Sequence, residues 1–155
     1  MSVPQRLRAF LDSNYVPYES LSHSTTYTAQ GTATVMQISG KEIAKTVVLC
    51  VGIHGDETIL AVIPGPRHVK FDRLAAVLGK PVRLATEEEF SRLFPDCELG
   101  AMPPFGPLYN LPVYVDESLA RDKEVLFNAG THHDVVRMAY EDFVRLANPI
   151  VCSFT

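Results

Sequence analysis

The sequence lacks the features that mark membrane, secreted or DNA-coating proteins. No run approaches the roughly 20 apolar residues of a membrane span, and the first ten residues contain no long apolar segment of a signal peptide. Cysteine is scarce: three residues occur at wide spacings, with no CxxC pair. Acidic residues outnumber basic ones and the net charge is −4, so no basic surplus favours nonspecific binding to nucleic acid. We expect a cytoplasmic protein with no membrane and no DNA partner.

Patterns for a metal site or for serine and thiol chemistry are also missing. The five histidines show no HxxxH or HxH spacing, so we expect neither a metal nor a cofactor. Ser24 and Ser39 lie outside any nucleophile-elbow context. Cys97 follows a proline and an aspartate in a predicted loop, and a thiol enzyme would require His132 beside it.

What the sequence does contain indicates one folded domain, residues 1–155. Apolar periodicity predicts helices at 4–11, 71–78 and 140–146, and Thr86 begins a further helix with a capping-box pattern. The segment 28–37 stays open, because Thr28 suits a helix N-cap whereas Gly31 weakens a helix. Strands are predicted at 16–21, 44–51, 58–63, 81–84, 111–115, 124–127 and 150–154. The expected fold class is α/β, with a mixed, mostly antiparallel, barrel-like sheet and helices packed outside.

The most informative segment is 128–137, which reads Asn-Ala-Gly-Thr-His-His-Asp-Val-Val-Arg. It holds polar, titratable groups between the strand predicted at 124–127 and an apolar-periodic run over 135–146. Functional groups are often displayed on short loops between rigid elements. His132 and His133 are adjacent, so on an extended backbone they face opposite ways and only one of them serves a given site.

Two further segments have unusual chemistry. Segment 100–106 (Gly-Ala-Met-Pro-Pro-Phe-Gly) places glycines on both sides of a proline pair, which makes a stiff loop with exposed backbone. Lys45 is a lone lysine before the apolar run 47–51. On residues alone, such a lysine more often extends past apolar surface to solvent. A purely structural connection explains the glycine–proline loop as well as a functional one does.

These three segments occur in the order and spacing of a known family. Lys45-Thr46-Val47-Val48-Leu49, the GxxxP loop at 100–106, and Asn128-Ala129-Gly130-Thr131-His132 with 136–138 resemble the YbaK/prolyl-tRNA synthetase editing-domain family of aminoacyl-tRNA deacylases. The resemblance covers nearly the whole chain, most firmly residues 41–146. It implies an α/β fold around a mixed, barrel-like sheet. It also implies hydrolysis of the ester between a wrong amino acid and the terminal ribose of a tRNA.

The resemblance implies roles for individual residues. The family lysine maps onto Lys45, whose ammonium is expected to bind phosphate or polar oxygens at the tRNA 3′ end. The glycine of GxxxP maps onto Gly100, and N–H groups of this loop are expected to hold the ester carbonyl as negative charge develops. Lys45 and Gly100 are therefore the expected catalytic residues. The expected substrate-binding residues are His23, Met102, Pro104, Phe105, Gly106, Gly130, Thr131 and His132.

The expected function is a free-standing trans-editing hydrolase for a proline-type tRNA that carries a small amino acid such as alanine or cysteine. Its expected partners are the aminoacyl-tRNA acceptor end and an aminoacyl-tRNA synthetase. Two departures from the family affect substrate choice: Pro103 stands where many members have a small hydroxyl residue, and 28–32 replaces a more acidic, helical stretch. The alternatives are a catalytically silent tRNA- or synthetase-binding module and a hydrolase of small esters unrelated to tRNA.

Overall fold

The computed structural model of the protein describes residues 2–38 and 43–155. Its helices are α1 (Gln5–Ser13), α2 (Ala29–Met36), α3 (Phe71–Leu78), α4 (Glu87–Ser91) and α5 (Tyr140–Ala147). Its strands are β1 (Tyr18–Ser22), β2 (Ile43–Val51), β3 (Glu57–Pro64), β4 (Val82–Leu84), β5 (Val113–Asp116), β6 (Glu124–Asn128), β7 (Asp134–Ala139) and β8 (Ile150–Cys152). Two short 3₁₀ helices flank β5, at Gly106–Tyr109 and Glu117–Arg121.

Local sequence signals set the ends of several helices. The Thr28 side chain accepts a hydrogen bond from the Gly31 N–H, so Thr28 caps α2 and settles the open segment as a helix. Thr86 and Glu89 form the predicted capping box at the start of α4. Gly79 ends α3 in the left-handed conformation, with φ of +71°. The Thr86 start and the Gly79 end are confirmed as the sequence predicts them.

Within the described ranges, eight strands form one mixed sheet in the order β1-β7-β6-β2-β3-β5-β8, with β4 paired to β2 outside this path. The pairs β1–β7, β2–β3, β2–β4 and β6–β7 are antiparallel. The pairs β2–β6, β3–β5 and β5–β8 are parallel. The predicted mixed sheet and its β2–β3 hairpin are therefore confirmed.

Side-chain alternation along the strands divides the core between two faces of the sheet. On the inner face, Val48 of β2 and Phe127 of β6 join the largest apolar cluster, which Leu7 of α1 and Phe143 of α5 complete. All four side chains are at most 4% exposed. This face gives the protein its main hydrophobic core.

The outer face carries two smaller clusters, one under α3 and one under α2. Leu49 packs with Leu74 of α3. Ile43 packs with Leu126 of β6 and Ala33 of α2. Since Lys45 alternates with its neighbours on β2, its side chain belongs to this outer face, between the two clusters.

The sequence pattern does not predict strand β7, because its residues lie within the apolar-periodic run 135–146. Val135 packs on the outer face and Val136 on the inner face. Burial on both faces removes the alternation that identifies a strand. The chain then passes from β7 directly into α5, with Ala139 at the N-cap.

No helix in the described part of the chain is long and apolar enough to cross a membrane.

Candidate functional site

The sheet has an opening in the middle of β2. β2 pairs with β6 through residues 43–44 and with β4 over residues 49–51. On the side of β2 opposite β3, residues 45–47 therefore pair with no described strand. β6 runs parallel to β2 and ends at Asn128, so the histidine loop (129–133) continues beside the opening. The fold thus places the lysine segment and the histidine loop next to each other.

The histidine loop and the glycine–proline loop (100–106) are held together by hydrogen bonds. The Gly130 N–H donates to the Ala101 carbonyl, and the Glu98 N–H donates to the Gly130 carbonyl, each over 2.8 Å. The His132 N–H donates to the Glu98 carboxylate over 3.3 Å. A Cβ atom added to Gly100 would lie 3.5 Å from Cε1 of His132. Gly100, Gly130 and His132 therefore meet in one place.

The Gly100 backbone is suited to presenting an N–H group. Its φ is +84°, a left-handed conformation that glycine adopts readily and other residues do not. Neither the Gly100 N–H nor the Met102 N–H donates to a backbone carbonyl within the described residues. N–H groups fixed in this way are the kind of donors that stabilise the oxyanion of an acyl-transfer intermediate.

His132 is the histidine of the pair that faces this cluster. It is 7% exposed, and its Nε2 lies 2.7 Å from the Leu99 carbonyl oxygen. A carbonyl only accepts, so Nε2 carries the proton and Nδ1 of the neutral ring keeps a free lone pair. The Tyr27 ring lies against the imidazole, with ring centroids 4.8 Å apart.

The other polar residues of the histidine loop have structural partners. The Thr131 hydroxyl donates to the Asp134 carboxylate over 2.7 Å, and the Ser22 hydroxyl donates to the same carboxylate over 3.0 Å. His133 Nε2 lies 3.3 Å from the carboxylate, with its side chain 37% exposed. Thr131 therefore connects the histidine loop to the start of β7, and its hydroxyl bonds to another protein side chain.

Three buried acceptor atoms beside the opening have no hydrogen-bond partner in the part of the chain that the structure describes: His23 Nε2, Asn128 Oδ1 and His132 Nδ1. His23 is tied to the histidine loop, because its N–H donates to the His133 carbonyl over 2.9 Å. Asn128 alternates with Phe127, so it shares the outer face with Lys45. Buried polar atoms are normally satisfied, and an unpaired one needs an explanation such as a ligand or an ordered water.

Lys45 lies on β2, at the edge of the group formed by these three acceptor atoms. Its side chain lines a depression of about 190 Å³ on the outer face, together with His68 and apolar side chains such as Val47 and Phe71. Burial lowers the pKa of the Lys45 ammonium. The residues that line this depression include none from the two loops. The strand register therefore places Lys45 next to the histidine loop. The described residues around its side chain form the mostly apolar wall under α3.

Four predicted substrate-binding residues need correction. Met102 and Phe105 are 4% and 0% exposed and pack in the inner core, so their side chains do not border an open pocket. Pro104 and Gly106 are also buried. A Cβ on Gly106 would overlap the Leu111 carbonyl oxygen, so this glycine allows close chain packing rather than approach of a tRNA end.

Cys97 is not placed for thiol chemistry. It is 8% exposed, and its sulfur contacts the Tyr109 hydroxyl at 3.4 Å. Burial is the main cause that raises the pKa of the Cys97 thiol to about 11. Since the thiolate is the nucleophile, this thiol is unreactive near neutral pH.

Sequence reasoning did not assign Tyr27, Glu98, Asn128 or Asp134 to the site. Asn128 and Asp134 lie inside the segment that the sequence analysis singles out, so their polarity there was the available signal. Tyr27 and Glu98 are distant in sequence from the histidine loop, and only tertiary contacts connect them to it. Within 2–38 and 43–155, no group of three or more His, Cys, Asp or Glu side chains is arranged to hold a metal ion.

The fold and the joined loops define an α/β editing-type domain, and comparison with known proteins identifies the family. Residues 23–146 match the family described as aminoacyl-tRNA editing domain. The chain therefore belongs to the aminoacyl-tRNA editing domain family.

Individual relatives agree with this assignment. The chain is 27% identical over 153 residues to the multifunctional Ser/Thr-tRNA deacylase ProXp-y of Escherichia coli K12, covering 97% of this chain and 91% of that protein. Among solved structures, a candidate trans-editing enzyme for prolyl tRNA synthetase is 27% identical, with a TM-score of 0.81 and coverage of 97% and 95%. The hypothetical protein APE2540 shares the fold at 22% identity, with a TM-score of 0.86 over 97% of this chain and 99% of that one.

Proposed function

We propose that the chain is a trans-editing hydrolase that removes a wrong amino acid from tRNA. Water attacks the ester carbonyl carbon, the bond to the ribose oxygen breaks, and a free amino acid and an uncharged tRNA leave. Family membership supports this reaction. The observation that carries it is the Gly100 N–H, without a backbone partner among the described residues, beside His132 at the opening in the sheet.

Three groups share the work in this proposal. The N–H groups of Gly100 and Met102 donate hydrogen bonds to the carbonyl oxygen as negative charge develops on it. His132 Nδ1 accepts a hydrogen bond from the attacking water or from the terminal ribose hydroxyl, since its other nitrogen is held by the Leu99 carbonyl. The Lys45 ammonium binds a phosphate or polar oxygen of the tRNA 3′ end. No step requires a metal or a cofactor.

The amino acid is small, and the site favours one with a hydroxyl group. The sequence suggests alanine or cysteine on a proline-type tRNA, which an apolar pocket would serve. However, the acceptors on His23 and Asn128, which have no partner among the described residues, match a donor such as the side-chain hydroxyl of serine or threonine. A site that bonds a hydroxyl discriminates strongly against analogues without one. The activity in the name of the E. coli relative, a Ser/Thr-tRNA deacylase, agrees with this choice.

One experiment tests the reaction and the substrate together. A single tRNA is charged separately with seryl, threonyl, alanyl, cysteinyl and prolyl groups, and first-order release of each amino acid is measured with and without purified protein. The proposal expects acceleration for seryl or threonyl esters above alanyl and cysteinyl, and none for the prolyl ester.

The other outcomes separate the alternatives. Fastest release of alanine or cysteine keeps the hydrolase and rejects the hydroxyl preference. Tight tRNA binding without acceleration of any ester shows a silent binding module. Hydrolysis of amino-acid alkyl esters but of no aminoacyl-tRNA shows an unrelated small-ester hydrolase. The last two results would each reject the proposed function.

A further inference from the structure

Tyr27 is a solvent-exposed aromatic residue that has no role in the proposed reaction. Its side chain is 78% exposed. One part of the ring contacts the buried His132 imidazole, with a centroid separation of 4.8 Å and an interplanar angle of 51°. An exposed aromatic ring that touches a candidate site has an open face available to a flat ligand.

The backbone on both sides of Tyr27 is fixed. The preceding residue, Thr26, donates its N–H to the His132 carbonyl over 2.9 Å, and its hydroxyl pairs with that of Thr32 at 2.7 Å. The following residue, Thr28, is the N-cap of α2. Because both neighbours are anchored, the backbone that carries the ring is held beside His132. A side chain on a held backbone loses less freedom when a ligand stacks on it than a side chain on a mobile segment.

We propose that Tyr27 forms a stacking platform for the terminal base at the 3′ end of the tRNA. This inference rests on the proposed function, since the ester lies on the ribose to which that base is attached. The base would stack on the open face of Tyr27 while the ester reaches Gly100, which lies beside the same His132 ring. Stacking requires no positive charge, so this contact is compatible with a protein whose net charge is −4.

Stacking also predicts which parts of Tyr27 matter. The aromatic face is required, because a base stacks on the π-face of an aromatic side chain. The hydroxyl is dispensable, so Tyr27→Phe should behave like the wild type, whereas Tyr27→Leu should not. Tyr15 offers a matched control, because it is 91% exposed and lies in the turn after α1, on the part of the chain that covers the inner face.

The test measures deacylation of the best aminoacyl-tRNA by the wild type, Tyr27→Leu, Tyr27→Phe and Tyr15→Leu. The expected result is an increase in KM of about 5- to 150-fold for Tyr27→Leu with kcat little changed, the equivalent of 1 to 3 kcal/mol. The other two variants should match the wild type. Inhibition by adenosine 5′-monophosphate is then compared with inhibition by ribose 5-phosphate, which lacks a base. The wild type should bind the nucleotide more tightly, and Tyr27→Leu should lose that difference.

Each contrary result is informative. Unchanged KM and unchanged inhibition in Tyr27→Leu would overturn the platform while leaving the hydrolase intact. A fall in kcat, with both inhibitors affected equally, would show that Tyr27 only supports His132, and would also overturn it. Absence of deacylation by the wild type would instead reject the proposed function on which the inference rests.

Discussion

Substitution of Gly100 by alanine separates the stability of the glycine–proline loop from its chemistry. Gly100 has a φ of +84°, and an L-residue in the left-handed region is destabilised by about 1 to 2 kcal/mol. The added Cβ would lie 3.5 Å from Cε1 of His132, an ordinary contact that adds no clash. We therefore expect a folded variant whose Tm falls by about 2 to 8 °C.

The effect of Gly100→Ala on activity should be much larger than its effect on stability. Rotation of the peptide relieves this backbone strain, and we expect that rotation to move the N–H away from the ester carbonyl. Loss of one such donor reduces the rate by about 10²- to 10³-fold. Because the ester is common to all substrates, release of serine and release of alanine should fall by the same factor. The assay is single-turnover deacylation of both esters on one tRNA.

Gly79 supplies the matched control for Gly100. It also has a positive φ, +71°, and a Cβ added there meets no described atom within 4 Å. Gly79→Ala at the end of α3 should therefore lose a similar amount of stability and keep full activity. Wild-type rates in a folded Gly100→Ala variant, or an equal loss of activity in both variants, would refute the assignment of the Gly100 N–H to the reaction.

Three further predictions follow from burial. Phe105→Ala should lower the free energy of unfolding by about 3 to 5 kcal/mol in urea titrations, because the ring packs against three other aromatic rings in the core; a change below 1 kcal/mol would contradict this placement. Burial raises the pKa of the Cys97 thiol to about 11. We therefore expect this thiol to react with maleimide at pH 7 only after unfolding, and rapid labelling of the native protein would contradict this. Burial lowers the pKa of Lys45, so the folded state binds its proton more weakly than the unfolded state. Lys45→Met should then be at least as stable as the wild type at pH 7, with the wild type gaining relative stability as pH rises toward the ordinary lysine pKa; a less stable variant at pH 7 would argue against this burial effect.

Short-range patterns in the sequence account for the parts of the fold that were predicted. The β2–β3 hairpin, helix α3 with its terminal Gly79, and the Thr86 capping box each depend on residues within a few positions of one another. The family resemblance added the order of the three motifs. That order predicted Gly100 and His132 in one site, and in the structure the two residues lie beside each other.

Contacts between distant segments account for what was not predicted. The opening at residues 45–47 exists because β2 changes partner from β6 to β4, which no local pattern encodes. Met102 and Phe105 looked like pocket residues beside a glycine, whereas the loop folds inward and buries them. Tyr27 joins the site only because Thr26 bonds to the His132 carbonyl, across more than a hundred residues of sequence.

The central claim is that the protein hydrolyses aminoacyl-tRNA at the site beside Lys45. It is tested most directly by single-turnover deacylation of the preferred mischarged tRNA with the wild type and a folded Lys45→Met variant. Loss of a charged contact to the reacting end should raise the barrier by about 2 to 4 kcal/mol, so the variant should react about 30- to 1,000-fold more slowly. Equal rates in the two proteins, with the variant shown to be folded, would contradict the account.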